Sequence, residues 1–432
     1  MHNLKFVFTL LFALLIGTVA EESVLEKTAE QFFLSLVEGK DKEVFHTFEM
    51  SESMRSWIQG DKYKDSAKQI HQMFGEIGEL QKKETTQHNA QVQAVELFYS
   101  GTKNSFKTTV SFKDGQIIGI HTGFWTDEQV HGGTPIQLET PTGTLYGTRL
   151  KPEQVTKPVP VVLFLAGSGP TDRNGNQRPS LHTDAYRLLA EALQQSGIAS
   201  VRFDKRGVGA STAAGTEESK LRFEHFVDDA VLWIDLLSQE NKYSKIIVLG
   251  HSEGSLIGML ACIQSKKADG FISLCGAGRP VDELIREQTK GQPQFVKDSL
   301  FPILDELKKG NTVEKVPEAL LSLVRPSVQP YMISWMKYDP QTEIKKLTLP
   351  VLIVQGTTDI QISIADADKL SVANPQAKKI ILKNMNHTLK KNVTTIALLQ
   401  QPCYTDPKYP IHEDLVPCLM EFISLGSRRD FR

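Results

Sequence analysis

An excess of charge of either sign is what this sequence most plainly lacks: 49 Lys and Arg stand against 51 Asp and Glu over 432 residues, a formal net charge of −2. No basic run reaches five residues, and Lys82-Lys83 and Lys390-Lys391 are isolated pairs that read as solvated surface. The composition therefore offers nothing to a nucleic-acid partner. Cysteine is scarce. The four, Cys262, Cys275, Cys403 and Cys418, include no C-x-x-C pair, so no zinc site or other metal is expected. Four cysteines allow three pairings, and spacing does not choose among them. Cys403 and Cys418 bracket a Pro-rich segment where a disulfide clasp would fit, whereas Cys262 and Cys275 fall on apolar patterns that suit buried thiols. Beyond residue 20 no apolar run approaches the roughly 20 residues a spanning helix needs. No membrane span is expected in the mature chain.

The first twenty residues read as a targeting segment rather than as part of the fold. His2 and Lys5 precede an apolar stretch over 6–16, and Thr18-Val19-Ala20 supplies small residues for cleavage. A mature chain starting near Glu21 is expected, exported to the periplasm or secreted. A retained N-terminal anchor is the competing reading.

The remaining length exceeds one ordinary domain. Residues 21–125 open with an amphipathic helix, in which Leu25, Phe32, Phe33, Leu36 and Val37 share a face. A second helical stretch lies around 70–77. Strands follow over 91–99, 104–112 and 116–122, with Lys113-Asp114-Gly115 as a hairpin turn. Helices followed by a small antiparallel sheet make an α+β domain.

From residue 134 to 432 the pattern changes. A hairpin over 136–138 and 144–150 leads into short apolar runs at 159–165, 199–203, 245–249, 270–274, 351–355 and 379–382. Such runs, unbroken by polar alternation, suit parallel strands covered on both faces. Helical segments at 184–196 and 226–238 separate them, which gives a doubly wound, mostly parallel α/β sheet. Residues 279–339 interrupt the rhythm with charged amphipathic helices, a candidate lid. Its apolar residues Phe295, Leu300, Phe301, Ile303 and Leu304 suit either an acyl-binding cover or an ordinary packing face.

The sharpest local signal is Gly250-His251-Ser252-Glu253-Gly254. It matches G-x-S-x-G, follows a strand pattern and precedes a helical one. Gly250 and Gly254 would keep side chains out of a tight strand-to-helix turn that lifts the Ser252 hydroxyl above the sheet edge. A serine hydroxyl needs a base. In chain order, Asp359 lies just past the run 351–355 and His387 just past 379–382, both at strand ends where α/β sheets gather functional groups. His387 is the expected base and Asp359 its orienting acid. His131, His182, His225, His251 and His412 are the other candidates, and only His412 also follows Asp359. Two N–H groups should form an oxyanion hole: that of Glu253, and that of Ser168 or Gly169 in the loop 166–176. That loop lacks the endings of a phosphate or dinucleotide loop, and no cofactor is expected.

Together, G-S-G-P-T-D-R-N-G-N (167–176), R-F-D-K-R-G-V-G-A-S (202–211), G-H-S-E-G and Q-G-T-T-D-I-Q-I (355–362) resemble a bacterial α/β-hydrolase group. This group sits among dienelactone-hydrolase-like and serine-aminopeptidase-like esterases. The resemblance implies an α/β-hydrolase fold from residue 136 onward except over the insertion, a triad at Ser252, Asp359 and His387, no cofactor, and a small-molecule ester or acyl substrate. It also implies esterase activity, with thioesters or short peptides as alternatives. Asp204 and Arg206 are read as an ion pair bracing the site, with Lys205 and Arg206 alternatively greeting a substrate carboxylate. The first domain resembles nuclear-transport-factor-like or cystatin-like domains found ahead of some bacterial hydrolases. A reading of another class is an envelope-ligand binding protein with a degenerate hydrolase fold.

Overall fold

A computed structural model describes residues 23–87, 92–103, 105–124, 133–153, 157–177 and 181–425. The first twenty residues, read above as a targeting segment, and His131 lie outside them. The chain divides into two compact units, 1–126 and 127–432.

In the first unit, α1 (Val24–Val37) is started by a reciprocal cap in which the Ser23 hydroxyl accepts from the Glu26 N–H and Glu26 accepts from the Ser23 N–H. Helices α2 (Glu52–Gln59) and α3 (Lys62–Phe74) follow, then a meander of β1 (Ile77–Gln87), β2 (Val92–Gly101), β3 (Phe106–Lys113) and β4 (Gln116–Phe124). Phe32, Phe33, Phe45, Tyr63, Phe74 and Phe106 form its buried centre. The hairpin turn falls at Asp114 and Gly115, with φ of 51° and 81°. The α+β expectation holds, with differences. A further helix, α2, precedes the expected second one, which is α3 and ends at Phe74, and an additional strand, β1, follows it. Its sequence, I-G-E-L-Q-K-K-E-T-T-Q, is an edge strand whose charged residues hide the strand pattern.

The second unit is built on an eight-stranded sheet. The strands are β5 (Thr134–Thr140), β6 (Gly143–Leu150), β7 (Val159–Leu165), β8 (Ala199–Phe203), β9 (Tyr243–His251), β10 (Gly270–Leu274), β11 (Val351–Gly356) and β12 (Lys378–Leu382). Across the sheet they run β12-β11-β10-β9-β7-β8-β6-β5. β5 and β6 are antiparallel; from β8 to β12 every pairing is parallel. The chain leaves β7 toward β8 and then crosses back to place β9 on the other side of β7. The connections after β7 and β9 therefore diverge, which opens a crevice at their carboxyl ends.

Helices cover both faces, which is why the strands are continuous apolar runs. One face carries α4 (Ala185–Gln195) and the C-terminal helix Leu415–Leu425, with Tyr186, Leu189, Leu193, Leu419 and Phe422 buried beneath. The other carries α5 (Phe223–Gln239) and α6 (Glu253–Ser265), with Trp233, Ile234, Leu256, Leu260 and Phe271 buried.

Between β10 and β11 lies the insertion: α7 (Val281–Gln288), α8 (Gln294–Lys308), α9 (Leu321–Val324), α10 (Gln329–Trp335) and α11 (Pro340–Ile344). It is fastened to the start of α5. The Phe223 N–H donates to Ser334 Oγ at 2.8 Å, and the Trp335 ring stacks on Phe223 with 5.6 Å between centroids. Tyr338 donates to Glu224 at 3.1 Å, and Arg325 binds Glu218. Leu300, Ile303 and Leu304 join the core, so the packing-face reading of α8 is the one observed.

Candidate active site

β9 carries the chain to Ser252, where the backbone turns into α6. Ser252 adopts φ 56° and ψ −120°, a strained conformation for a residue with a side chain. The turn closes only because its flanking residues lack side chains. A Cβ on Gly250 would lie 2.1 Å from the Gly254 carbonyl oxygen, and one on Gly254 would lie 2.2 Å from that of Leu165. Ser252 is thereby held at the head of α6, partly exposed, beside the N–H groups that a helix leaves unpaired in its first turn.

Two loops at neighbouring strand ends bring Asp359 and His387 together. Asp359 Oδ1 accepts from the N–H groups of Gln361 and Ile362 at 2.8 and 2.9 Å, and Oδ2 accepts from Gln355 Nε2 at 3.0 Å. Oδ2 also faces His387 Nδ1 at 2.8 Å. Burial alone would raise the Asp359 pKa, but the adjacent His387 and these donors hold it below the usual carboxylate value. An ionised carboxylate only accepts, so the proton sits on His387 Nδ1 and leaves Nε2 without one in the neutral ring.

His251, next to the serine, does not compete as a free base. Its Nε2 donates to the His387 carbonyl at 2.9 Å, and its Nδ1 pairs with the Tyr186 hydroxyl at 2.8 Å. Burial and the nearby His387 lower its pKa to about 3. His251, Cys275 and His387 cluster closely enough to suggest a metal site. However, both His251 nitrogens are engaged and burial keeps the Cys275 thiol protonated, so the group is organised by hydrogen bonds. All four cysteines are free and buried. The Cys403–Cys418 clasp that the sequence allows is not formed: the Cys403 sulfur faces Asn392, while Cys418, on the C-terminal helix, packs into the core.

Two cavities meet at Ser252, and both include Ser168, Gly169 and Gln361. One, of about 240 Å³, is mainly apolar, with Leu256, Val281, Leu284, Ile285, Met332 and Trp335 in its walls. The other, of about 370 Å³, is the more polar and contains His387 together with Thr171, Gln177, Thr183, Thr388 and Tyr404. The insertion does wall the site, mainly through α7 and α10, with Leu323 of α9 and Pro340 of α11 beside them. Phe295 is 69% exposed and lies in neither cavity.

The charged residues of the 202–211 segment pair differently from expectation. Asp204 receives the Arg173 backbone N–H at 2.8 Å and its guanidinium at 2.8 and 3.1 Å, so it fastens the 166–176 loop. Arg206 instead binds Asp229 on α5, with Nε donating at 2.8 Å. Lys205 Nζ donates to the Gly167 carbonyl and to Glu253, each at 3.0 Å. No sequence spacing signals these partners, which lie 23 to 48 residues away. Neither Lys205 nor Arg206 is free to meet a substrate carboxylate.

The family model for serine aminopeptidases (S33) matches residues 180–392. An esterase of Thermotoga maritima, EstD, is 27% identical over 241 residues, 54% of this chain and 55% of its own length. The chain thus spans about half the length of that curated relative. Among solved structures, Est1E of Butyrivibrio proteoclasticus with bound ferulic acid is 16% identical with a TM-score of 0.46. It covers 67% of this chain and 96% of its own. The Pyrococcus furiosus esterase Pf2001 is 17% identical with a TM-score of 0.43, over 70% and 96%. The second unit has the fold of the α/β-hydrolases. This α/β-hydrolase unit presents Ser252, Asp359 and His387 on the connections after β9, β11 and β12, at one edge of the sheet.

Proposed function

We propose that the protein hydrolyses carboxylic esters through an acyl-enzyme. Ser252 attacks the carbonyl carbon, and His387 takes its proton and returns it to the departing alcohol. Asp359 holds the imidazole in the productive tautomer. Water, activated by the same histidine, then releases the acid. The N–H of Glu253 and one from Ser168 or Gly169 receive the oxyanion. The observation that carries this reading is the 2.8 Å pair of His387 and Asp359 beside a serine in strained backbone at a helix head.

The two cavities support an orientation. The alcohol must leave on the side of the histidine that protonates it, which is the polar cavity. The acyl chain then occupies the apolar one beneath α7 and α10. The favoured substrate joins an aliphatic acid to a hydrophilic alcohol. An aminopeptidase would want a free carboxylate for the substrate ammonium. Among the described residues lining the two cavities, the one carboxylate, Glu253, is bound by Lys205. This favours esters over peptides.

Fluorophosphonate labelling of the wild type and of Ser252→Ala, with turnover of short p-nitrophenyl esters, thioesters and aminoacyl amides, tests the proposal. Labelling and ester turnover that vanish in the variant are expected. A wild type that is folded yet neither labelled nor active would overturn it. Export belongs to the same proposal and rests on the leader-like first twenty residues. N-terminal sequencing of the mature protein should begin near Glu21.

A further inference from the structure

Resting on that reading, we propose that Lys205 is a positioning residue that holds the two halves of the oxyanion hole in register, and that Ser168 supplies the second N–H. Lys205 and Glu253 are 5% and 4% exposed, and the lysine ammonium also sits 4.2 Å from the Phe226 ring centroid. Burying an ion pair removes both partners from water, a cost an apolar pair of similar size would avoid. The position of this pair gives it a use.

Its ammonium grips two elements at once. One is Glu253, whose own N–H follows the nucleophile; Lys205 donates to its Oε1 at 3.0 Å, and the Tyr331 hydroxyl lies close to the same carboxylate. The other is the Gly167 carbonyl. In a planar trans peptide the carbonyl and the next N–H point in opposite directions. Fixing the Gly167 oxygen therefore fixes the direction of the Ser168 N–H. Gly167 lies against the nucleophile, since a Cβ there would be 3.2 Å from that of Ser252. The Gly167 N–H is already committed to the Tyr186 hydroxyl at 3.3 Å. The next donor along the loop is Ser168. Lys205 and Glu253 neutralise each other, so the pair acts through geometry rather than through net charge.

Lys205→Met keeps the length of the side chain and removes the ammonium. The expected result is a fall in kcat of about a hundredfold, the effect of losing one oxyanion donor, with KM within about threefold. Affinity for a phenylboronic acid, whose adduct with Ser252 carries the tetrahedral negative charge, should fall in proportion to kcat/KM. The pH profile should keep its shape, because His387 is untouched. Wild-type kcat, or a lost kcat with unchanged boronate affinity, would overturn the inference. Should Lys205→Met not fold, Glu253→Gln tests the same tether by removing its counter-charge. A parallel loss of kcat and boronate affinity, by about tenfold, is then expected, and unchanged values overturn it. A wild type without serine-dependent turnover overturns the esterase reading as well, which separates the two failures.

Discussion

Tyr186 on α4 and His251 at the end of β9 share a hydrogen bond of 2.8 Å that, through the Gly167 N–H and the His387 carbonyl, connects the 166–176 loop to the loop carrying His387. Its direction follows from its neighbours. The His251 Nε2 must donate to the His387 carbonyl, so in the neutral ring Nδ1 accepts from the Tyr186 hydroxyl. The hydroxyl oxygen in turn accepts from the Gly167 N–H. Tyr186→Phe leaves that N–H buried and unpaired, which costs about 1–3 kcal/mol. Urea unfolding should report this loss, and kcat should fall with it. A variant as stable as the wild type would show that the Tyr186 hydroxyl contributes nothing net.

His251 also makes a prediction about acid. Its folded pKa of about 3 lies below the ordinary value of 6.5. Between those values the unfolded chain binds more protons than the folded one, so stability rises with pH across this window. It is fully present above about pH 6.5 and is lost as pH falls toward 3, by at most roughly 4–5 kcal/mol. Asp359, with a depressed pKa, adds a loss of the same sign that begins below about pH 4. Unfolding free energy measured from pH 7 to 4 should slope in the wild type and flatten in His251→Gln. Equal slopes would assign the acid sensitivity to other groups.

The apolar cavity should set acyl preference. Each methylene buried there is worth about 0.8 kcal/mol, or about fourfold in kcat/KM. Leu284→Trp fills part of the cavity. It should reduce kcat/KM on p-nitrophenyl hexanoate by at least about tenfold while acetate turnover stays within about threefold. Equal losses on both esters would place the acyl chain elsewhere.

Gly254→Ala should not be tolerated. The added methyl meets the Leu165 carbonyl at 2.2 Å and that of Ala166 at 2.7 Å, and these are backbone atoms of a central strand and its end, which cannot turn aside as a side chain could. A destabilisation of roughly 3 kcal/mol or more is expected by calorimetry or urea titration. A soluble, fully active variant would mean that the turn is far looser than its geometry implies.

Free thiols offer a chemical check. Unfolded without reductant, the protein should react with four equivalents of a thiol reagent, because Cys262, Cys275, Cys403 and Cys418 are all unpaired. Two equivalents would restore a disulfide.

Much of this was legible in the chain. Strands β7 and β9 read as apolar runs because both faces of the sheet are covered. Gly250 and Gly254 carry a steric requirement that depends on local spacing alone. The hydrophilic edge strand β1 was not legible, since its charged side chains answer to solvent rather than to a core. Nor were the partners of Asp204, Lys205 and Arg206. A pairing across tens of residues depends on which loops the topology brings together, and many carboxylates in the sequence are equivalent until then. The site wall shows the same limit. Phe295 and Phe301 are the conspicuous aromatics of the insertion, but the rotation of α10 presents Tyr331, Met332 and Trp335 instead.

The fastening of α10 to α5 bears on how substrate arrives. A cover held by the Ser334 hydrogen bond, the Trp335–Phe223 stack and the Arg325–Glu218 pair is architecture rather than a shutter. Lipases that wait for an oil surface to peel back a flap show a jump in rate when substrate begins to aggregate. On the esterase reading proposed above, a wall fastened in this way predicts a rate that rises smoothly with substrate concentration, with no jump where the substrate begins to aggregate.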